Sequence, residues 1–272
     1  MRRGFWTVVT LAASCAAAAP SPAQPAGEAI GVRSAARSVL SERAPAIVTV
    51  KLLLRQRFIA EGREQHSAES TLELAGTVLT PEGLTVVSDA ASNPAAMAGS
   101  PPGAGVRLDS ETGEVKLALS DGREVPARFV LRDSDLDLAF LVPEEPLEAH
   151  PHVELVEAVE AGPLDDLILL FPLSKALNRE VGVLVTAVRG VIRKPRVFLA
   201  IDVFDGMQSL GCPAFDAAGR AVGLVVLRRS PVPVRPSGGF RDMFDLLNPV
   251  VLSAGDVSGV ASQALAVARG RE

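Results

Sequence analysis

Apolar and polar positions alternate in short runs along most of the chain. Val115, Leu117 and Leu119 face one way, and Lys116, Ala118 and Ser120 the other. That period of two predicts a half-buried strand. Asp121-Gly122 is a hairpin turn signal, and the return strand is expected over Glu124–Leu131. Further apolar runs predict strands at Ala46–Leu54, Thr71–Thr80, Leu84–Ser88 (after the turn Pro81-Glu82-Gly83) and Asp137–Val142. The same style resumes at Leu167–Leu173, Val181–Val191, Arg196–Val203, Pro213–Asp216 and Ala221–Arg228. Short strands at roughly 8–12-residue spacing argue for a sandwich or barrels. Asn93–Gly105 and Ser230–Gly239 are expected as surface loops, and Val257–Val267 has helical spacing.

Pro143–Pro163, with four prolines and six glutamates, divides the chain as a connector. Residues 24–38 are rich in Ala, Pro and Gly and are expected to form a tether. Ahead of them, Arg2-Arg3 precedes a short apolar stretch from Gly4 to Ser14 and then small residues. This is the layout of a cleaved secretory signal over residues 1–23, ending at Ala23. Arg2-Arg3-Gly4-Phe5-Trp6 also fits a twin-arginine signal. Leu11 to Cys15 resembles a lipobox, which would anchor a lipoprotein through Cys15. On either reading the protein is periplasmic or secreted.

Composition narrows the function. At 48% apolar the chain is not a disordered polymer, and it lacks the long apolar run of a membrane span. A net charge of −5 argues against a nucleic-acid partner. Aromatics are few (10 Phe, 1 Trp, no Tyr), so aliphatic side chains must fill the core. Once Cys15 leaves with the signal, Cys212 is the single thiol and is expected to be buried. His150-Pro151-His152 offers two metal ligands where a site needs three or four, so no metal or other cofactor is expected. The connector glutamates, and Arg189, Arg193, Lys194 and Arg196, are expected as solvated surface charge.

Several segments, in order, resemble the trypsin-like peptidase domain of HtrA/DegP-type serine proteases. Leu74 to Gly83 is similar to that family's strand and turn, and Leu84 to Asp89 to the strand before its catalytic histidine. Leu119 to Ala127 resembles its hairpin, Asp133 to Leu141 the segment with its catalytic aspartate, and Gln208 to Gly223 its nucleophile loop and following strands. The resemblance implies an all-β fold of two six-stranded antiparallel barrels with a cleft between them and a short C-terminal helix. Barrel one would cover about 39–143, the connector about 144–163, barrel two about 164–250 and the helix about 256–268, within a domain over 39–268. It leaves no length for the PDZ domain that often follows in the family, so target selection is expected to come from the barrels.

Carried over residue by residue, the family's triad positions fall on Ala91, Asp137 and Leu210, and its loop Gly-Asn-Ser-Gly-Gly-Pro reads Gln208-Ser209-Leu210-Gly211-Cys212-Pro213. The imidazole that moves the proton and the hydroxyl that attacks are both absent. A side chain at Gln208 opposes the backbone shape of an oxyanion hole. The expectation is a pseudopeptidase that binds polypeptide or an envelope protein without cutting it. Leu210 is expected to share the space beside Ala91, and Asp137 to bond backbone amides or Ser88. Ser209 as nucleophile in a loop slipped by one residue, and Cys212 as nucleophile, would each need a nearby base. The alternatives are an active endopeptidase and a structural envelope protein.

Overall fold

The computed structural model describes residues 26–60, 63–93, 106–155, 160–228 and 248–270. The stretch expected as a secretory signal, with Cys15, the expected loop residues 94–105 and the proline-rich segment at 230–239 lie outside them.

The first half is a closed antiparallel barrel in the order β1-β2-β3-β6-β5-β4. Its strands are β1 (Ile47–Ala60), β2 (Arg63–Val78), β3 (Thr85–Ser88), β4 (Val106–Ala118), β5 (Glu124–Asp133) and β6 (Leu138–Pro143). Alternate residues fill its interior, among them Val50, Leu52, Leu117 and Leu141, all fully buried. Gly122, at φ +85, makes the β4–β5 turn, where Gly122 N donates to Leu119 O at 3.0 Å. Strands β1 and β2 run well past the expected ends, pairing Leu54↔Ser70 through Ala60↔Arg63 as an exposed arm.

The second half departs from a six-stranded barrel. Its described residues form one seven-stranded antiparallel sheet, β8-β7-β11-β12-β13-β10-β9. The strands are β7 (Asp166–Pro172), β8 (Val181–Ala187), β9 (Gly190–Ile192), β10 (Phe198–Ala200), β11 (Pro213–Phe215), β12 (Ala221–Arg228) and β13 (Asn248–Ser253). The run Val181–Val191, expected as one strand, breaks at Val188-Arg189, and its two parts occupy opposite edges of the sheet. The connector, without helix or strand among its described residues, lies against the first barrel through Leu147 N to Glu82 O (3.0 Å) and Val153 N to Val78 O (2.9 Å).

The stretch expected as a tether is instead helical: α1 covers Ala26–Arg43. Val32, Ala35, Ala36, Val39 and Leu40 form a stripe at helical spacing that packs on Ile168 and Leu170 of β7 and Val181 and Val183 of β8. Two short helices, α2 (Asp89–Ser92) and α3 (Val203–Gln208), flank the space between the halves. The last helix, α4 (Ala254–Arg269), is capped by Ser253, whose Oγ accepts from Asp256 N at 3.2 Å. Its Val257, Val260, Ala261 and Ala264 join Leu84, Leu138 and Phe140 of the first half and Leu224, Val226 and Leu252 of the second in one core. Each terminal helix thus packs on the half remote from it in sequence, with α4 bridging both. No helix among the described residues is long and apolar enough to cross a membrane.

Candidate functional site

A cleft of about 270 Å³ opens between the halves. Leu74 and Ala75 of β2 and Ala91 of α2 form one wall, and Pro172, Met207 and Leu210 the other. Ala91 and Leu210 therefore face the same space, and Leu210 is half-buried against the core of the second half. Gln208 also lines the cleft, at the last position of α3. In a helical turn a backbone amide points back along the axis toward earlier carbonyls.

Asp137 lies behind α2, 4% exposed, with its backbone at φ +59. Its Oδ1 accepts from Ala90 N at 2.6 Å; its Oδ2 accepts from Ser88 Oγ at 2.8 Å and from Leu227 N at 2.6 Å. Ser88 and Ala90 belong to the first half and Leu227 to β12, so one carboxyl joins the two. Burial pushes it up to about 6, against the pull of those three donors. Ser88 Oγ also accepts from Ala91 N at 3.1 Å, capping α2. Asp89 accepts from Arg132 at 2.6 Å and Ser134 at 2.8 Å, and Arg132 donates to Ser92 at 2.7 Å. The turn that carries Ala91 is fixed from both sides.

The loop after α3 is threaded between the halves. Thr77 Oγ1 donates to Gly211 O at 2.8 Å, and Gly211, at φ +81, sits against the backbone of Ala75 and Ser88. Ser209 is wholly buried and outside the cleft lining, and its Oγ has no hydrogen-bond partner among the described residues. Cys212 is wholly buried too, and burial pushes its thiol far above the ordinary range. Neither side chain lines the cleft. Because a buried hydroxyl without a partner is itself a cost, Ser209→Ala should leave stability unchanged or raise it by up to about 2 kcal/mol. A urea midpoint clearly below wild type would contradict this assignment.

The three histidines stand elsewhere. His66 pairs with Phe58 near the tip of the β1–β2 arm. His150 and His152 lie in the connector, where His152 Nδ1 is 3.2 Å from His150 O and burial holds His150 below its usual range. Among the described residues no third ligand joins them to make a metal site.

One contact at the rim had no signal in the sequence. Arg179 reaches from the second half to Glu73 of β2 as a fork, Nε to Oε2 at 2.9 Å and Nη2 to Oε1 at 2.6 Å. The two residues are 106 apart in the chain.

Solved structures similar to this one include HtrA-type proteases. The protease AlgW with a decapeptide matches at a TM-score of 0.56 and 16% identity, over 85% of this chain and 67% of that one. A variant of AlgW with a tripeptide matches at 0.51 and 18%, over 82% and 61%. The variant with a decapeptide matches at 0.51 and 18%, over 79% and 62%. The fold is that of a trypsin-like, HtrA-type peptidase. The chain spans about two thirds of the length of these HtrA-type proteases or slightly less. No protein-family model matches the chain, and no curated protein matches it. Within the HtrA-type fold, the three positions that the sequence resemblance assigns to a triad converge: Ala91 and Leu210 in the cleft, Asp137 behind them.

Proposed function

We propose that this protein is a catalytically inert HtrA-type fold, working outside the cytoplasm, that holds extended polypeptide in the cleft between its halves. One observation carries the reading: Ala91 and Leu210 meet in the cleft with aliphatic side chains. Thr49 and Ser174 also line it, and none of the three imidazoles does. Proton transfer from an attacking hydroxyl needs such a base. Loss of a serine-protease triad as a unit costs on the order of 10⁶ in turnover. Binding an extended chain depends on backbone groups and side-chain pockets, so it can persist without the triad. The HtrA-type structures that resemble this one include complexes with a decapeptide and a tripeptide.

The test pairs a fluorophosphonate serine probe with unfolded casein. The expected result is no labelled serine, and casein retained uncut. Leu210→Asp, which puts a charge on the apolar floor, should weaken retention at least about tenfold while the far-ultraviolet spectrum stays that of the folded protein. A labelled serine or casein fragments would establish the active-endopeptidase alternative; no retention at all would point to a structural role.

A further inference from the structure

Lysine is rare in this chain, 4 of 27 basic residues, the other 23 being arginine. Three of the four, Lys51, Lys116 and Lys175, line one recess of about 560 Å³. Lys51 lies on β1 and Lys116 on β4. Lys175 comes from the second half, in the turn after β7. Glu73 lines both this recess and the apolar cleft, so the two form one trench.

Fold stability does not explain this grouping. Lys51 and Lys116 stand directly opposite each other across the β1–β4 pair, and like charges so placed repel. Lys51 donates to Glu124, and Lys116 lies 2.9 Å from Glu114. The glutamates of these pairs are 43% and 59% exposed, and ion pairs that wet hold little. Three lysines and three carboxylates, Glu73, Glu114 and Glu124, line the recess, but Arg179, from outside that lining, takes up Glu73. Among the described residues Lys175 is thus the lysine of the recess left without an ion-pair partner. The Arg179 bond holds Glu73 below the usual carboxylate range, with Lys51 and Lys175 adding to it. The Lys51 bond does the same to Glu124, with Lys116 and Arg179 beyond. The residue type fits as well. Arg179 locks Glu73 with a planar fork, whereas a lysine is a point charge on a flexible stem and changes partner readily.

We propose that the trench takes an acidic stretch of polypeptide, whose carboxylates displace Glu124 and Glu114 from Lys51 and Lys116 and engage Lys175, while an apolar residue of the same stretch enters the cleft at Ala91 and Leu210. The proposal rests on the reading of the cleft as a polypeptide site.

Three labelled peptides test it, sharing one apolar residue flanked by runs of Glu, Gln or Lys. At low salt the Glu peptide should bind about tenfold more tightly than the Gln peptide. The difference should collapse at about 0.5 M salt, where the screening length falls to a few ångströms. It should vanish in K51Q/K116Q/K175Q, whose wild-type far-ultraviolet spectrum reports that it is folded. If that variant does not fold, the wild-type comparison across salt decides alone. Equal wild-type affinity for the Glu and Gln peptides, or a preference that survives the triple substitution, overturns the acidic partner and leaves the cleft reading standing. No binding of any of the three overturns both.

Discussion

Asp137→Ala should lower the free energy of unfolding by about 4 kcal/mol at pH 7.5, read from urea denaturation. The substitution removes the acceptor of two buried backbone amides, Ala90 N and Leu227 N, and of Ser88 Oγ. Each buried donor left without a partner costs about 1–3 kcal/mol. The backbone at φ +59 adds to the loss, because Asp tolerates the left-handed region better than Ala does. Asp137→Asn separates the two contributions. Asn accepts that backbone but has a single acceptor oxygen, and its NH₂ faces one of the two amides. Its loss should be about half as large. Against a typical stability of about 5–15 kcal/mol, the alanine variant would be marginal. A change under about 1 kcal/mol would mean that the carboxyl does not hold the halves together.

Gly211→Ala is the second large effect, expected at about 3 kcal/mol or more. A Cβ at Gly211 would lie 2.8 Å from Ala75 O and 3.1 Å from Ser88 N, both backbone atoms that cannot rotate away. At φ +81 an L-residue is strained even without neighbours. Relief requires the halves to separate, which stretches the bond from Thr77 to Gly211 O. The variant should therefore also expose the Thr77 and Leu227 amides to faster hydrogen exchange. A wild-type melting curve for it would show that the loop is not wedged against the backbone of Ala75 and Ser88.

The first barrel was legible because its strands keep one face in the core: Val115, Leu117 and Leu119 alternate with polar neighbours, and Asp121-Gly122 marks the turn. The distal arm was not, since Arg55 to Ser70 is mostly polar apart from Phe58-Ile59-Ala60 and is held by cross-strand pairs such as Arg55 and Glu69 at 2.7 Å. Helix α1 was hidden by its small residues. Its stripe consists mainly of Ala and Val, and it becomes a buried face only against β7 and β8. Strand β13 follows the proline-rich segment and itself contains Pro249, which masked it. Motif order alone placed Ala91 and Leu210 at one cleft. Nothing in the local sequence could bring Arg179 to Glu73, because that contact depends on how the halves dock.

The crossed helices have a consequence for how the molecule comes into being. A chain emerging N-terminus first holds α1 without the strands it lies on, and an outer surface of the first barrel without α4. Neither half can finish until its distant helix has docked. Formation of the native state is thus tied to contacts of each helix with strands far from it in the chain, α1 with β7 and β8 and α4 with β5 and β6, a long-range requirement that slows folding.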